Sequence, residues 1–152
     1  MNRATAVLAF AILAACSSGA PSAPAASPTS TAKPMIFPVR ATAAGSAALK
    51  GSVTILKTAD NAFTLVVDVT GLAPNSVHVS HIHSGTCGSN GPIAIPLADV
   101  VADPGGHANV TNNLATPYKG DGWYVNIHSG PDLTTPANAA PIACADLKST
   151  AP

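Results

Sequence analysis

Five histidines hold the chemistry available to this sequence: His78, His81, His83, His107 and His128. In a strand, residues two apart share a face. His81 and His83 therefore point the same way, with Ile82 opposite. Over residues 122–128, Trp123, Val125 and Ile127 form an apolar face, which leaves His128 on the polar one. Three imidazoles on the solvent-facing sides of two neighbouring strands would make a His-rich metal site. Neutral imidazole suits copper, zinc, nickel or iron, and copper stands highest in the divalent affinity order. The His81-Ile82-His83 pair alone is weak evidence, because exposed pairs also arise by chance. His78 has the opposite parity to His81 and reads as a hydrogen-bonded structural histidine near the core. His107 follows the Pro104-Gly105-Gly106 turn and reads as a solvated turn residue.

The three cysteines divide into one plus two. Cys16 ends Leu13-Ala14-Ala15-Cys16, directly after an apolar run over 4–15 that follows Met1-Asn2-Arg3. The run falls short of the roughly 20 residues a membrane-spanning helix needs and reads as a secretion signal. Its end resembles a bacterial lipobox, which implies lipidation of Cys16 and a membrane tether rather than a span. The alternative is ordinary cleavage that leaves a free thiol. Cys87 and Cys144 remain, in an exported chain where disulfides persist. A bond between them is worth about 4 kcal/mol in the chain-entropy account; the alternative is two free thiols.

The elements that must position these residues are short strands. The chain has 152 residues with seven Lys+Arg against seven acidic residues, all Asp, and 9% charge overall. Zero net charge gives nucleic acid no electrostatic footprint. The absence of Glu, Gln and long Leu-rich periodic stretches argues against a helical bundle or coiled coil. Aromatics at 4% leave little for a stacking platform. Three regions follow: a lipoprotein signal peptide over 1–15, a lipidated Cys with a disordered Ala/Pro/Ser tether over 16–34, and one β domain over 35–152. Expected strands cover 49–57, 63–70, 77–83, 93–101, 107–113, 122–128 and 141–147. Asp60-Asn61 and Asp103-Pro104-Gly105-Gly106 supply turns between them. Seven or eight short strands predict an all-β antiparallel sandwich or barrel.

These residues also match known families. Gly71-Leu72-Ala73-Pro74, His78, His81-Ile82-His83, Gly85 and Cys87 resemble the copper-ligand strand of copper/zinc superoxide dismutases. Asp103 through Val110, Val125 to His128, Asp132 and Pro141-Ile142-Ala143-Cys144 continue the likeness. His81-Ile82-His83-Ser84-Gly85, Gly91-Pro92-Ile93 and Tyr124-Val125-Asn126-Ile127-His128 are closer to the CHRD domain, a module of the same structural superfamily. The resemblance covers about residues 50–147. It implies a Greek-key β-sandwich or flattened barrel of seven to eight strands. It also implies copper on His81, His83 and His128, a structural His78, a Cys87–Cys144 disulfide, and Asp132 as the carboxylate that orients ligand imidazoles.

The departures matter as much. Only residues 88–92 separate Cys87 from the next strand, so the dismutase loop with the bridging imidazole and the zinc ligands is missing, and no zinc is expected. The position of the anion-attracting arginine is Pro141. Electrostatic steering of superoxide is lost. The expectation is therefore a cell-envelope lipoprotein holding one copper per chain without fast turnover. A zinc-free copper superoxide dismutase and a metal-free structural module are the alternatives. The anchor lies on the outer face of the cytoplasmic membrane or on the outer membrane. It is the only membrane contact expected, nucleic acid is not a partner, and a monomer and a homodimer both fit.

Overall fold

The computed structural model describes residues 32–150. The signal, Cys16 and most of the tether lie outside the described residues. Along the chain come β1 (Met35–Ala41), β2 (Lys50–Ala59), β3 (Ala62–Thr70), β4 (Val77–His78), β5 (Ser80–Ser84), β6 (Ile93–Pro96), β7 (Val100–Val101), β8 (His107–Leu114), β9 (Trp123–His128), α1 (Pro136–Ala139) and β10 (Pro141–Leu147).

Period-two alternation builds the long strands. β3 buries Phe63, Leu65, Val67 and Val69 and turns Thr64, Val66 and Asp68 the other way. It pairs with β2 from Lys50↔Thr70 to Ala59↔Ala62, around the Asp60-Asn61 turn. β1 does the same with Met35, Phe37 and Val39 inside. That strand is absent from the sequence expectation, because its run adjoins the Pro-rich tether and contains Pro38. Proline lacks the N–H a central strand needs. The structure accommodates it because β10 pairs with β1 only at Arg40 and Ala41, leaving Pro38 beside β2 alone.

Eight strands form one curled antiparallel sheet, a half-barrel, in the order β6-β5-β9-β10-β1-β2-β3-β8, and β4 pairs with β7 in a small second sheet. The expected all-β antiparallel class is borne out. Its concave side packs Phe37, Val53, Ile55, Phe63, Leu65, Val67, Ile82, Val125 and Ile127 into one core. The expected strand over 93–101 divides into β6 and β7. Leu97 N donates to Ser80 O at 3.1 Å, Ser80 Oγ to Ala98 O at 3.0 Å and Ala98 N to Asn112 Oδ1 at 2.7 Å, so the chain leaves the ladder there. α1 is a single turn, capped by the Thr135 hydroxyl on Asn138 N. Four residues are too few to show a helical period in sequence.

Candidate metal centre

β5 and β9 are adjacent, with Ile82↔Val125 in the core and His81↔Asn126 and His83↔Tyr124 on the reverse face. His128 ends β9, and its N–H donates to Val79 O at 3.0 Å. The registers bring three rings together. Centroid separations are 5.8 Å for His81–His83, 5.3 Å for His81–His128 and 5.6 Å for His83–His128. One nitrogen from each lies within 4.8 Å of the other two. Metal–nitrogen bonds of about 2.1 Å set ligand nitrogens about 3.4–4.2 Å apart, so small side-chain rotations complete a set for one ion.

Hydrogen bonding selects which nitrogens face inward. His83 Nδ1 donates to Gly91 O and His128 Nδ1 to Ala139 O, both at 2.8 Å. A carbonyl only accepts, so both rings carry the proton on Nδ1 and present the Nε2 lone pair. Those two Nε2 atoms, together with His81 Nδ1, are buried without a hydrogen-bond partner. Leaving such groups unpaired costs about 1–3 kcal/mol each, and a metal ion removes that cost. Burial pushes the His81 and His128 imidazoles below their ordinary range. The neighbouring rings add to this, while Asp99 opposes it at His81 and the Ala139 carbonyl opposes it at His128. Both rings are thereby kept neutral, the form that ligates. The residues present fit a metal ion.

The reverse face of β9 corrects the expected solvent-facing site. His83 and His128 are only 7% and 5% exposed. The Gly91 and Ala139 carbonyls bond them, and every residue of β9 is buried. His81 alone is half-buried. Gly91 shows how tightly the first cover sits: a Cβ there would lie 1.6 Å from Ser84 O.

The other candidates separate cleanly. Buried His78 sits outside the cluster, donating through Nδ1 to His128 O at 2.9 Å, with Nε2 2.8 Å from the Ser76 hydroxyl. Both of its ring nitrogens are thus engaged within the protein. Cys87 and Cys144 form a disulfide across 5.9 Å between Cα atoms. Asp132 does not orient an imidazole directly. Its Oδ1 accepts from Thr134 N, Thr134 Oγ1 and Asn138 Nδ2. The partner position beside His128 belongs to Ala139 O, because α1 brings that carbonyl over the ring, and Asp132 braces the loop that carries it. His107 stands on the edge strand β8 and is not in the cluster. Tyr124, Gly91, Ala139 and Asp99 were not among the expected site residues. Two of these act through backbone carbonyls, which residue type does not advertise.

Residues 26–131, more than half of the chain, match the CHRD domain. The chain belongs to this family. The matched stretch of the CHRD domain contains all five histidines and Cys87, and stops before β10 and Cys144. No curated protein matches the chain. A disulfide closing such a domain is the mark of export to an oxidising compartment. Among the described residues, no helix is long and apolar enough to cross a membrane.

Proposed function

We propose that this CHRD protein is a cell-envelope lipoprotein that holds one copper ion per chain through His81 Nδ1, His83 Nε2 and His128 Nε2, without fast turnover. The observation that carries this reading is the coincidence of two properties in the same three residues: one nitrogen of each ring lies within 4.8 Å of the others, and each ring has a buried nitrogen without a hydrogen-bond partner. An all-imidazole donor set at neutral protonation suits copper best among available divalent ions. No second, zinc, site is expected, because only residues 88–92 separate Cys87 from the next strand and they carry no histidine. Bound copper would supply one-electron chemistry; the chain's own residues bind it, orient the rings and keep most of the site dry. The lipobox-like Leu13-Ala14-Ala15-Cys16 supports attachment through Cys16 to the outer face of the cytoplasmic membrane or to the outer membrane.

A second reading, a zinc-free copper superoxide dismutase, is favoured by one observation. His81 is half-buried while its partners are buried, so small molecules have a side from which to approach. Against it, Pro141 supplies no cation and the neighbouring charge felt at His81 is the anionic Asp99, which disfavours an anionic substrate. A copper titration of the protein followed by a superoxide-consumption assay separates the readings. One equivalent bound with slow consumption supports the proposal. Fast consumption promotes the dismutase, and no binding leaves the metal-free module.

A further inference from the structure

Tyr124 is fully buried on the reverse face of β9, directly opposite His83 in the ladder. Its ring stacks on the His83 imidazole, with centroids 5.2 Å apart and planes 27° from parallel. Its hydroxyl accepts from Gly91 N at 3.2 Å, and Gly91 O in turn accepts from His83 Nδ1 at 2.8 Å. The ring and hydroxyl thus reach the same imidazole by two routes. Phenylalanine would bury the same ring without bringing a hydroxyl that needs a partner. The hydroxyl's evident work is at Gly91, whose approach to Ser84 O leaves no room for a side chain and whose carbonyl sets the His83 tautomer.

We propose that Tyr124 is a positioning residue that holds His83 as the Nδ1–H tautomer with Nε2 aimed into the three-histidine site. It acts through the ring plane and through the Gly91 peptide. The inference rests on the metal-binding reading of this site for its effect on affinity, but its effect on the tautomer is a property of the metal-free protein. Partners that orient ligand imidazoles typically change metal affinity about 10- to 100-fold. Tyr124 acts one residue further out, so its effect belongs at about the lower bound of that range.

The test compares the full chain with Tyr124→Phe, which keeps the stacked ring and deletes only the hydroxyl. Tyr118→Phe serves as the control, since it removes a hydroxyl bond to Lys148 O at 2.8 Å outside the site. Imidazole nitrogen NMR of the metal-free proteins should show His83 as a single Nδ1–H tautomer in wild type and Tyr118→Phe, and as a mixture in Tyr124→Phe. Copper affinity should fall about tenfold in Tyr124→Phe alone. In a His83→Ala background the added Tyr124→Phe change should have no further effect on copper. An unchanged His83 tautomer in Tyr124→Phe overturns the inference, as does an equal copper loss with and without His83. If wild type binds no copper, the proposed function fails, and the tautomer measurement still decides the role of Tyr124.

Discussion

Two ends of the same sheet handle histidine in opposite ways. At the β5–β9 end, His81, His83 and His128 are drawn together, largely buried, and each keeps one nitrogen without a partner. At the β8 edge, the His107 side chain is 43% exposed and lies between carboxylates, with Nε2 3.3 Å from Asp68 Oδ1 and Nδ1 3.9 Å from Asp103 Oδ2. Asn109 Nδ2 donates to the other Asp68 oxygen at 2.6 Å, and the His107 and Gly105 amides hold Asp103's carboxyl below its ordinary range. The polar groups there already bond one another, which leaves less for an ion to satisfy. Exposed pairs of that kind contribute about 0–1 kcal/mol. A metal site is made by the polar group that burial has deprived of partners, and a surface imidazole beside carboxylates is turn chemistry.

The strongest way to break the contrast is to release the cover at the buried end. Cys144→Ser opens a bond spanning 57 positions and should cost about 4 kcal/mol of stability. It also frees the segment from Cys87 to Gly91, so copper affinity should fall too. Denaturant unfolding with and without copper reads both, and a loss below about 1 kcal/mol would rule out this account of the bond.

Next in size are the ligands themselves. His81→Leu, His83→Ala and His128→Ala should each weaken copper binding by about a hundredfold or more, since each removes a direct ligand rather than an outer partner. His81→Leu should at the same time raise the stability of the metal-free protein by up to about 1 kcal/mol, because it deletes a buried nitrogen with no partner. Calorimetric titration paired with thermal unfolding checks both; copper affinity equal to wild type in all three would sink the site.

Acidification should separate the two ends further. The folded-state imidazoles of His81 and His128 are pushed below the ordinary value of 6.5 by burial. The unfolded chain therefore takes up protons first as pH falls. The stability associated with these groups is present above pH 6.5 and is lost as pH drops through it toward the folded values. Metal-free protein should lose stability over this window, and copper affinity should fall with it, since only neutral imidazole ligates. The His81→Leu, His128→Ala double variant should show a flatter profile, measured by unfolding at several pH values.

The smallest effect belongs to the exposed end. His107→Ala should change stability by less than about 1 kcal/mol and leave copper affinity within twofold of wild type. A larger copper loss, measured in the same titration, would mean that His107 reaches the site after all.

The linear sequence determined the class and much of the candidate site. Alternation in β3 and β9 depends only on adjacent residue types, so the strand faces, the pairing of His81 with His83 and the side taken by His128 were legible without coordinates. So was the turn at Asp103–Gly106. Tertiary structure alone decided three things. It made β1 a strand despite Pro38, because the β10 ladder stops short of that residue. It buried the polar face of β9, which parity could label polar but not covered. It gave the orienting role to the carbonyls of Gly91 and Ala139 and left Asp132 to brace the loop. Every residue carries a carbonyl, so its selection as a histidine's partner is written in loop packing and not in residue type.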